Sequence, residues 1–178
     1  MQVCVVGSGG REHALAEVLG RSADVVVTPG NPGIEGSTDA PATEIDADLF
    51  VIGPEVPLVD GLADRLRADG RLVFGPGADG ARLEGAKAWM KDLLVDAGVP
   101  TARHGTFTEQ DRALEFLDHM VPPYVVKTDG LAAGKGVVVA LDLGEAHAAI
   151  DDMLGANTLG VAHNAEGARV VIEEFMAG

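Results

Sequence analysis

The sequence is poor in several features that mark particular classes of protein. Its single cysteine, Cys4, permits no disulfide within the chain and is expected to be a small buried hydrophobe in the first strand. No apolar run is long enough to span a bilayer and no signal peptide is evident, so we expect a cytoplasmic protein without a membrane partner. The formal net charge of −15 disfavours nucleic acid as a partner, because nucleic acids select basic surfaces.

Lysine is the scarcest of the charged residues. The only four lysines are Lys87, Lys91, Lys127 and Lys135, and every other cationic side chain that is permanently charged is arginine. Lys87 and Lys91 lie one helical turn apart, where their like charges repel slightly and a bound anion would relieve them. The alternative is a solvated helix face whose lysines survived by chance.

A glycine-rich loop lies between Lys127 and Lys135. The run Tyr124–Lys127 and the run 137–141 are rich in β-branched residues and predict two strands. Between them Gly130, Gly134 and Gly136 allow sharp turns and close approach to a ligand. Backbone N–H groups flanked by two ammonium groups suit a polyphosphate, but the spacing and the following strand differ from a Walker A loop. An ordinary glycine-rich hairpin with exposed lysines is the alternative.

Residues 1–78 predict an open parallel α/β domain. An apolar strand at the N-terminus runs into the turn Gly7–Glu12 and then a helix over residues 11–19. Such a turn, aimed at a helix N-terminus, favours an anion, although a plain tight turn is the alternative. Glu12 occupies the third glycine position of a dinucleotide fingerprint and no acid follows the second strand, so we expect a phosphate or sugar phosphate and not NAD.

The rest of this domain is predicted from short apolar runs and loops. Strands are expected over residues 24–28, 48–52 and 71–74, and a helix over Leu58–Ala68. The polar connection 32–47 leaves little room for a crossover helix. Because loops at the carboxyl ends of parallel strands meet at one edge, this edge is the expected ligand site.

The remaining residues predict a helical linker and a small α+β module. The linker, residues 79–100, is expected to be helical to residue 97 with a break near Gly85. Residues 101–178 predict the order βαββαβ, with Thr108 as a helix N-cap, a helix over residues 144–154, a polar loop over residues 155–167 and a last strand over residues 169–176. The five histidines have no metal-ligand spacing.

Six segments, in order along the whole chain, resemble the N-terminal part of the phosphoribosylamine–glycine ligase (glycinamide ribonucleotide synthetase) family of the ATP-grasp superfamily. They are Gly7–Ala14, Pro29–Asn31, Gly53–Leu58, Leu83–Lys87, Val126–Val137 and Ile172–Phe175. The resemblance implies an α/β chain in which an open parallel-sheet pre-ATP-grasp domain precedes an incomplete α+β ATP-grasp subdomain. It also implies that a helix of the first domain is missing between residues 36 and 46, and Ala86 stands where the family commonly has Ser.

The resemblance further implies two sets of binding residues. The ATP set has Lys135 as its catalytic member in the mobile loop and comprises Lys87, Lys127, Gly130, Gly134, Lys135, Gly136, Glu173, Glu174 and Met176. The phosphoribosylamine set comprises Gly9, Gly10, Arg11, Glu12, Asn31 and Glu55.

The implied reaction joins glycine to 5-phosphoribosylamine at the expense of ATP, through a glycyl phosphate, and yields glycinamide ribonucleotide, ADP and phosphate. The cofactors are ATP and Mg²⁺ or Mn²⁺, with the metal ligands expected beyond residue 178, and this chain alone is expected to be inactive. Two alternatives stay open: another ATP-grasp carboxylate–amine ligase, and a truncated nucleotide-binding module without catalysis.

Overall fold

The computed structural model describes residues 1–132, 136–158 and 167–177. The chain divides into two compact units, Met1–Ala81 and Arg82–Gly178. The boundaries at residues 78 and 100 that the sequence suggests stay predictions. None of the helices in the described ranges has the length and apolarity that a membrane crossing requires.

The first unit is built on a four-stranded parallel sheet, as predicted. Its strands are β1 (Gln2–Gly7), β2 (Asp24–Pro29), β3 (Leu49–Ile52) and β4 (Val73–Phe74), in the order β2-β1-β3-β4. The central strand β1 pairs with both β2 and β3, so that Gly7 lies opposite Pro29 and Val6 lies opposite Ile52. Val3, Cys4 and Val5 are fully buried, as expected for a strand covered on both faces.

The helices of this unit are α1 (Gly10–Leu19), α2 (Glu55–Val59) and α3 (Leu62–Ala68). The single helix predicted over Leu58–Ala68 is wrong, because the chain turns between α2 and α3. Gly61 has φ +76°, a left-handed conformation that glycine adopts without steric cost. The break lets Leu58 and Leu62 both pack against the sheet in the core cluster that contains Phe50.

The connection between β2 and β3 has no α-helix, as the sequence predicted. Its one helical element is a 3₁₀ turn, Ala42–Glu44. Arg71 holds this connection to the sheet: its guanidinium donates to the carbonyls of Ile45 at 2.6 Å and Thr43 at 3.1 Å, and lies 5.3 Å from the ring of Phe50. Ala42 and Ile45 of the connection are buried in the same core cluster as Phe50, so the connection packs on the sheet without a crossover helix.

The second unit contains a four-stranded antiparallel sheet in the order β5-β8-β6-β7. The strands are β5 (His104–Phe107), β6 (Tyr124–Thr128), β7 (Val137–Ala140) and β8 (Val170–Glu174). The helices that follow α3 along the chain are α4 (Ala78–Gly85), α5 (Lys87–Asp96), α6 (Gln110–Leu117) and α7 (Leu143–Asp151). Together they give the α+β module that the sequence predicted.

Three local predictions in this region meet different outcomes. The helical break near Gly85 is confirmed, since Ala86 separates α4 from α5 with an extended backbone. Thr108 as an N-cap is wrong: Glu109 holds that position and no side chain caps α6. The predicted polar loop from residue 155 begins later, because a π-helical turn, Asp152–Ala156, extends α7.

Alternation along β6 and β8 divides the second sheet into two faces. Val126 and Ile172 point into the apolar core, where they pack with α6 and α7. Successive side chains of a strand point to opposite faces, so Lys127 and Glu173 lie on the other face. This face of the second sheet holds the charged residues described below.

Candidate functional site

In the first unit the candidate site lies at the carboxyl edge of the parallel sheet. Parallel strands end on the same side, and β1, β2 and β3 lead into Gly9, Asn31 and Glu55 respectively. Gly9 is the N-cap of α1, so the free N–H groups of that helix face this edge. A helix N-terminus beside a cationic side chain is suited to an anion.

Glu12 is buried at this edge and binds two of its groups. Its side chain is only 4% exposed. One oxygen, Oε2, accepts the N–H of Gly9 at 2.8 Å, and the other, Oε1, accepts Nε of Arg11 at 2.8 Å. This is half of a capping box, in which the third helical residue reaches back to the N-cap. A Cβ at Gly7 or Gly53 would collide with Glu12, so both glycines are required for the close approach.

The hydrogen bonds at Glu12 decide its charge. Burial alone would raise the pKa of Glu12, but the bonds from Arg11 and from the N–H of Gly9 outweigh it and hold the pKa below its ordinary value. The same bond to Glu12 raises the pKa of Arg11. Glu12 is therefore a carboxylate at neutral pH, and Arg11 is charged.

Arg11 is oriented by two carboxylates and remains accessible. Its NH1 group lies 3.3 Å from Oε1 of Glu55, while its side chain is 54% exposed. The backbone N–H of Glu55 and the contact with Arg11 hold the pKa of Glu55 below its usual range. The guanidinium is thus fixed on the side of Glu12 and open on the solvent side, where it can bind a phosphate group.

Asn31 ties the loop after β2 to the loop after β1. Its Nδ2 donates to the carbonyl of Ser8 at 2.8 Å, and its Oδ1 accepts the N–H of Gly33 at 2.7 Å. Asn31 also borders a cavity of about 540 Å³ that is lined by residues 29–39 of this loop. Gly9, Arg11, Glu12, Asn31 and Glu55 therefore share one edge, as the sequence predicted for the set that also contains Gly10.

In the second unit the candidate site is a cluster of charges on the face of the sheet that carries Lys127 and Glu173. Glu173 of β8 forms ion pairs with two lysines: Nζ of Lys127 lies 2.8 Å from Oε1, and Nζ of Lys91 lies 2.9 Å from Oε2. Lys91 also donates to Oγ1 of Thr101 at 2.8 Å. Burial alone would raise the pKa of Glu173, but the two lysines hold it below its ordinary value.

Lys87, at the first turn of α5, contacts the glycine-rich loop. Its ammonium donates a hydrogen bond to the carbonyl of Gly130. Burial lowers the pKa of Lys87, Asp129 opposes that shift, and the charge of Lys127 lowers the pKa further. Oδ1 of Asp129 accepts the N–H of Ala88 at 3.1 Å, so a residue of the loop caps the start of α5. Two hydrogen bonds, from Lys87 to Gly130 and from Ala88 to Asp129, therefore join the start of α5 to the loop.

The remaining predicted residues of the glycine-rich loop are Gly134, Lys135 and Gly136. Gly136 accepts the N–H of Thr128 at 2.9 Å, and a Cβ at Gly136 would collide with the Thr128 hydroxyl and with Ala132. Gly134 and Lys135, including the predicted catalytic lysine, lie outside the described residues. The structure thus brings together Lys87, Lys127, Gly130 and Glu173 of the predicted ATP set.

The other two predicted members lie near the end of β8. Glu174 is bound to β5 through Arg103, whose N–H donates to its carboxylate at 2.8 Å, and Met176 is 65% exposed.

Lys91 is the member of this cluster whose place the sequence did not reveal. Its residue is only 4% exposed, so the alternative of a solvated face is wrong for Lys91. One signal was available: Glu173 follows the apolar run 170–172, and an acid buried in a strand requires a cationic partner. Its partner on α5 is far away in sequence and no local spacing identifies it.

Within residues 1–132, 136–158 and 167–177 no three His, Cys, Asp or Glu side chains come together in a way that could hold a metal ion. The expectation that magnesium ligands lie beyond residue 178 stays a prediction.

Two family models match the chain. One, described as the N domain of phosphoribosylglycinamide synthetase, matches residues 1–84, and the other, described as the ATP-grasp (A) domain of phosphoribosylglycinamide synthetase, matches residues 85–178. The two matches are contiguous and together cover both compact units.

Curated and solved relatives agree with these matches. A phosphoribosylamine–glycine ligase from Xanthomonas campestris pv. campestris is 48% identical over 196 aligned positions, which cover 100% of this chain and 44% of the relative. The chain therefore spans less than half the length of the curated relatives it matches. Because the alignment exceeds the 178 residues of the chain, the relative has at least 18 residues without a counterpart here.

Two solved structures have a similar fold. The crystal structure of phosphoribosylamine–glycine ligase from Thermotoga maritima has a TM-score of 0.79 and 32% identity, and covers 100% of this chain and 44% of that one. D-Alanine–D-alanine ligase from Bacillus anthracis has a TM-score of 0.71 at 18% identity, over 100% of this chain and 58% of that one. At that identity the second likeness shows the fold alone.

Proposed function

Since the chain belongs to the phosphoribosylglycinamide synthetase family, we propose that it supplies the phosphoribosylamine-binding and ATP-binding parts of a ligase that joins glycine to 5-phosphoribosylamine. ATP phosphorylates the glycine carboxylate, and the amine then displaces phosphate from the glycyl phosphate. The products are glycinamide ribonucleotide, ADP and phosphate. A named relative, the ligase from Xanthomonas campestris pv. campestris, supports this activity.

The observation that supports the ATP part best is the charge cluster around Glu173. Lys87, Lys127 and the loop carbonyl of Gly130 lie together on one side of the second unit, next to Gly136. Ammonium groups neutralise the oxygens of a triphosphate, and this neutralisation grows in value as charge develops on the transferring group. We include Gly134, Lys135, Glu174 and Met176 in the same proposed set.

For the other substrate the proposal rests on the first unit. The N–H groups at the start of α1 and the guanidinium of Arg11 suit the phosphate of 5-phosphoribosylamine. Asn31 and Glu55 can bind hydroxyl or amine groups from the same edge. Glu12 has both oxygens occupied by the protein, so its contribution is to hold Gly9 and Arg11 in place.

Magnesium is proposed to accompany ATP, with Mn²⁺ as the substitute. The described residues of this chain fit the phosphate oxygens and not the metal, because the charged groups of the cluster are mainly ammonium groups. A bound metal would supply charge neutralisation at the phosphates.

The activity is tested in a chimera in which this chain replaces the matching 44% of the Xanthomonas campestris ligase. We expect release of ADP only when glycine and 5-phosphoribosylamine are both present. Equal release with a different carboxylic acid would replace this proposal with that of another carboxylate–amine ligase.

Nucleotide binding is tested separately by titrating this 178-residue chain with Mg-ATP. Lys127→Ala should weaken binding by about 1–3 kcal/mol, the value of a hydrogen bond to a charged group. The matched control is Arg112→Ala, which removes an exposed cation of α6 that forms an ion pair with Glu115. An unchanged affinity in Lys127→Ala would contradict the proposed phosphate contact.

A further inference from the structure

Two lysines share the carboxylate of Glu173, and they are not equivalent. The side chain of Lys127 is 25% exposed, so it remains accessible to a ligand. The side chain of Lys91 is only 5% exposed, and its ammonium is occupied by Glu173 and by the hydroxyl of Thr101. Lys91 therefore cannot contact a bound nucleotide in this arrangement.

The charge balance of the three groups depends on Lys91. With two ammonium groups and one carboxylate, the trio has a net charge of +1. Without Lys91 the trio would contain one neutral pair, in which the charge of Lys127 is cancelled by Glu173. Lys127 would then have little attraction left for an anion, because a polyphosphate would have to compete with the whole carboxylate.

The position of the Glu173 carboxylate relative to Lys127 depends on Lys91 as well. Lys127 and Glu173 are diagonal neighbours across β6 and β8, since Val125 lies opposite Glu173 and Lys127 lies opposite Val171. Long side chains at diagonal positions meet only in particular rotamers. Because Lys91, itself held by the hydroxyl of Thr101, pairs with one oxygen of Glu173, the other oxygen is fixed at a defined point beside Lys127.

We infer that Lys91 is a positioning residue for the phosphate site: it compensates the charge of Glu173 and so leaves the positive charge of Lys127 uncancelled, correctly placed and available to a polyphosphate. The inference rests on the proposed function, since it assumes that a nucleotide binds this face of the second unit. It assigns a role in binding to a side chain that does not touch the ligand.

The test compares ATP binding by four variants of the 178-residue chain. Lys91→Met removes the charge and keeps the length of the side chain, and we expect affinity for Mg-ATP to fall about tenfold, as for a unit charge lost several ångströms away. Lys91→Arg keeps the charge and should bind within about threefold of wild type. The matched control, Arg112→Met, removes an exposed cation of the same unit and should not change affinity.

The double variant Lys91→Met/Glu173→Gln tests whether the charge of Lys91 acts through the carboxylate of Glu173. It restores the net charge of +1 and contains no buried unpaired ion, so it should fold even if Lys91→Met does not. We expect it to recover most of the lost affinity for ATP. A role in folding alone would also be rescued by this variant, so the choice of ligand separates the two: folding alone predicts equal losses for ATP and AMP in Lys91→Met, whereas the inference predicts a smaller loss for AMP.

A readout without nucleotide keeps this inference distinct from the proposed function. The chain has only four lysines, so their ¹³Cε signals can be assigned by single substitutions. In Lys91→Met the signal of Lys127 should move, and in Arg112→Met it should not. If wild type fails to bind ATP, the proposed nucleotide site is wrong for this chain, and an unmoved Lys127 signal overturns the inference as well. If wild type binds ATP and Lys91→Met binds it equally well, only the inference is overturned.

Discussion

Each unit has a buried glutamate in a group of three charged side chains, and the two groups have net charges of opposite sign. In the first unit two carboxylates, Glu12 and Glu55, surround the single guanidinium of Arg11, so the trio is negative. In the second unit two ammonium groups surround the single carboxylate of Glu173, so that trio is positive. In a chain with a net charge of −15, two of the four lysines thus form this positive trio.

The difference indicates how each unit can bind a phosphate. At the first edge the excess of carboxylates leaves backbone N–H groups and one half-exposed arginine as donors, which suits a single phosphate group held by geometry. On the second sheet the excess of ammonium groups creates a positive field, which suits a polyphosphate. The same residue type, a buried glutamate, orients the donors in both places.

The largest expected effect comes from breaking the positive trio. Glu173→Gln leaves Lys91 buried with only the Thr101 hydroxyl and a neutral amide, and an uncompensated buried charge costs about 3–5 kcal/mol. We expect the free energy of unfolding, measured with urea, to fall by that amount. The control Glu115→Gln removes an exposed carboxylate that pairs with Arg112 and should change stability by less than about 1 kcal/mol.

Equal losses in Glu173→Gln and Glu115→Gln would mean that Lys91 escapes to solvent when Glu173 is neutral. Glu173 would then act as an exposed partner, as Glu115 does, and the second unit would have no buried positive trio to contrast with the first. The measurement has to be made at neutral pH, where Glu173 is ionised.

Acid should affect both trios, and the sign follows from the lowered pKa values. The pKa of Glu12 and that of Glu173 are both lower in the folded chain than the ordinary value of 4.5. The unfolded chain therefore takes up protons first as pH falls. The stabilisation is complete above about pH 4.5 and is lost as pH falls through the native pKa values, with each unit of difference worth about 1.4 kcal/mol.

Urea unfolding between about pH 7 and pH 3 measures this slope. Glu12→Gln and Glu173→Gln should each make the remaining acid dependence shallower, because each removes a carboxylate whose pKa is lowered in the folded chain. A slope that neither substitution alters would show that other carboxylates dominate the acid response and that the two buried glutamates are not the main difference from the unfolded chain.

The architecture of both units followed from local sequence patterns. Apolar β-branched runs predicted the parallel strands, and the glycine turn after β1 predicted the anion edge with Arg11. The contacts within the lysine cluster did not follow, because Lys91 and Glu173 lie on elements that are joined only by the tertiary fold. A lysine one helical turn from Lys87 indicated a common helix face, but not what that face would meet.

Errors in the helix boundaries have a similar cause. Thr108 has the chemistry of an N-cap, yet the backbone bends one residue later at Glu109, where β5 ends and α6 begins. Gly61 lies inside an apolar helical period, and the left-handed turn that it forms is selected by packing on the sheet and not by the local sequence. Propensity is a weak prior that tertiary context overrides.

The smallest expected effect concerns the two helix starts beside the two trios. At α1 the N-cap N–H is satisfied by Glu12 from within the helix, whereas at α5 the N-cap Ala86 has no capping side chain and Asp129 supplies the cap from the loop. Ala86→Ser adds a hydroxyl that can accept the N–H of Trp89, so it should stabilise the chain by about 0.5–1 kcal/mol.

Ala97→Ser, at the C-cap of the same helix, is the control and should not stabilise, because a hydroxyl there has no free N–H to accept. The gain at Ala86 should be unchanged in Asp129→Ala, which removes the cap from the loop, since the two caps satisfy different N–H groups of α5. A gain that grows in that background would mean that serine and Asp129 compete for the same N–H group. The start of α5 would then need only one of the two caps.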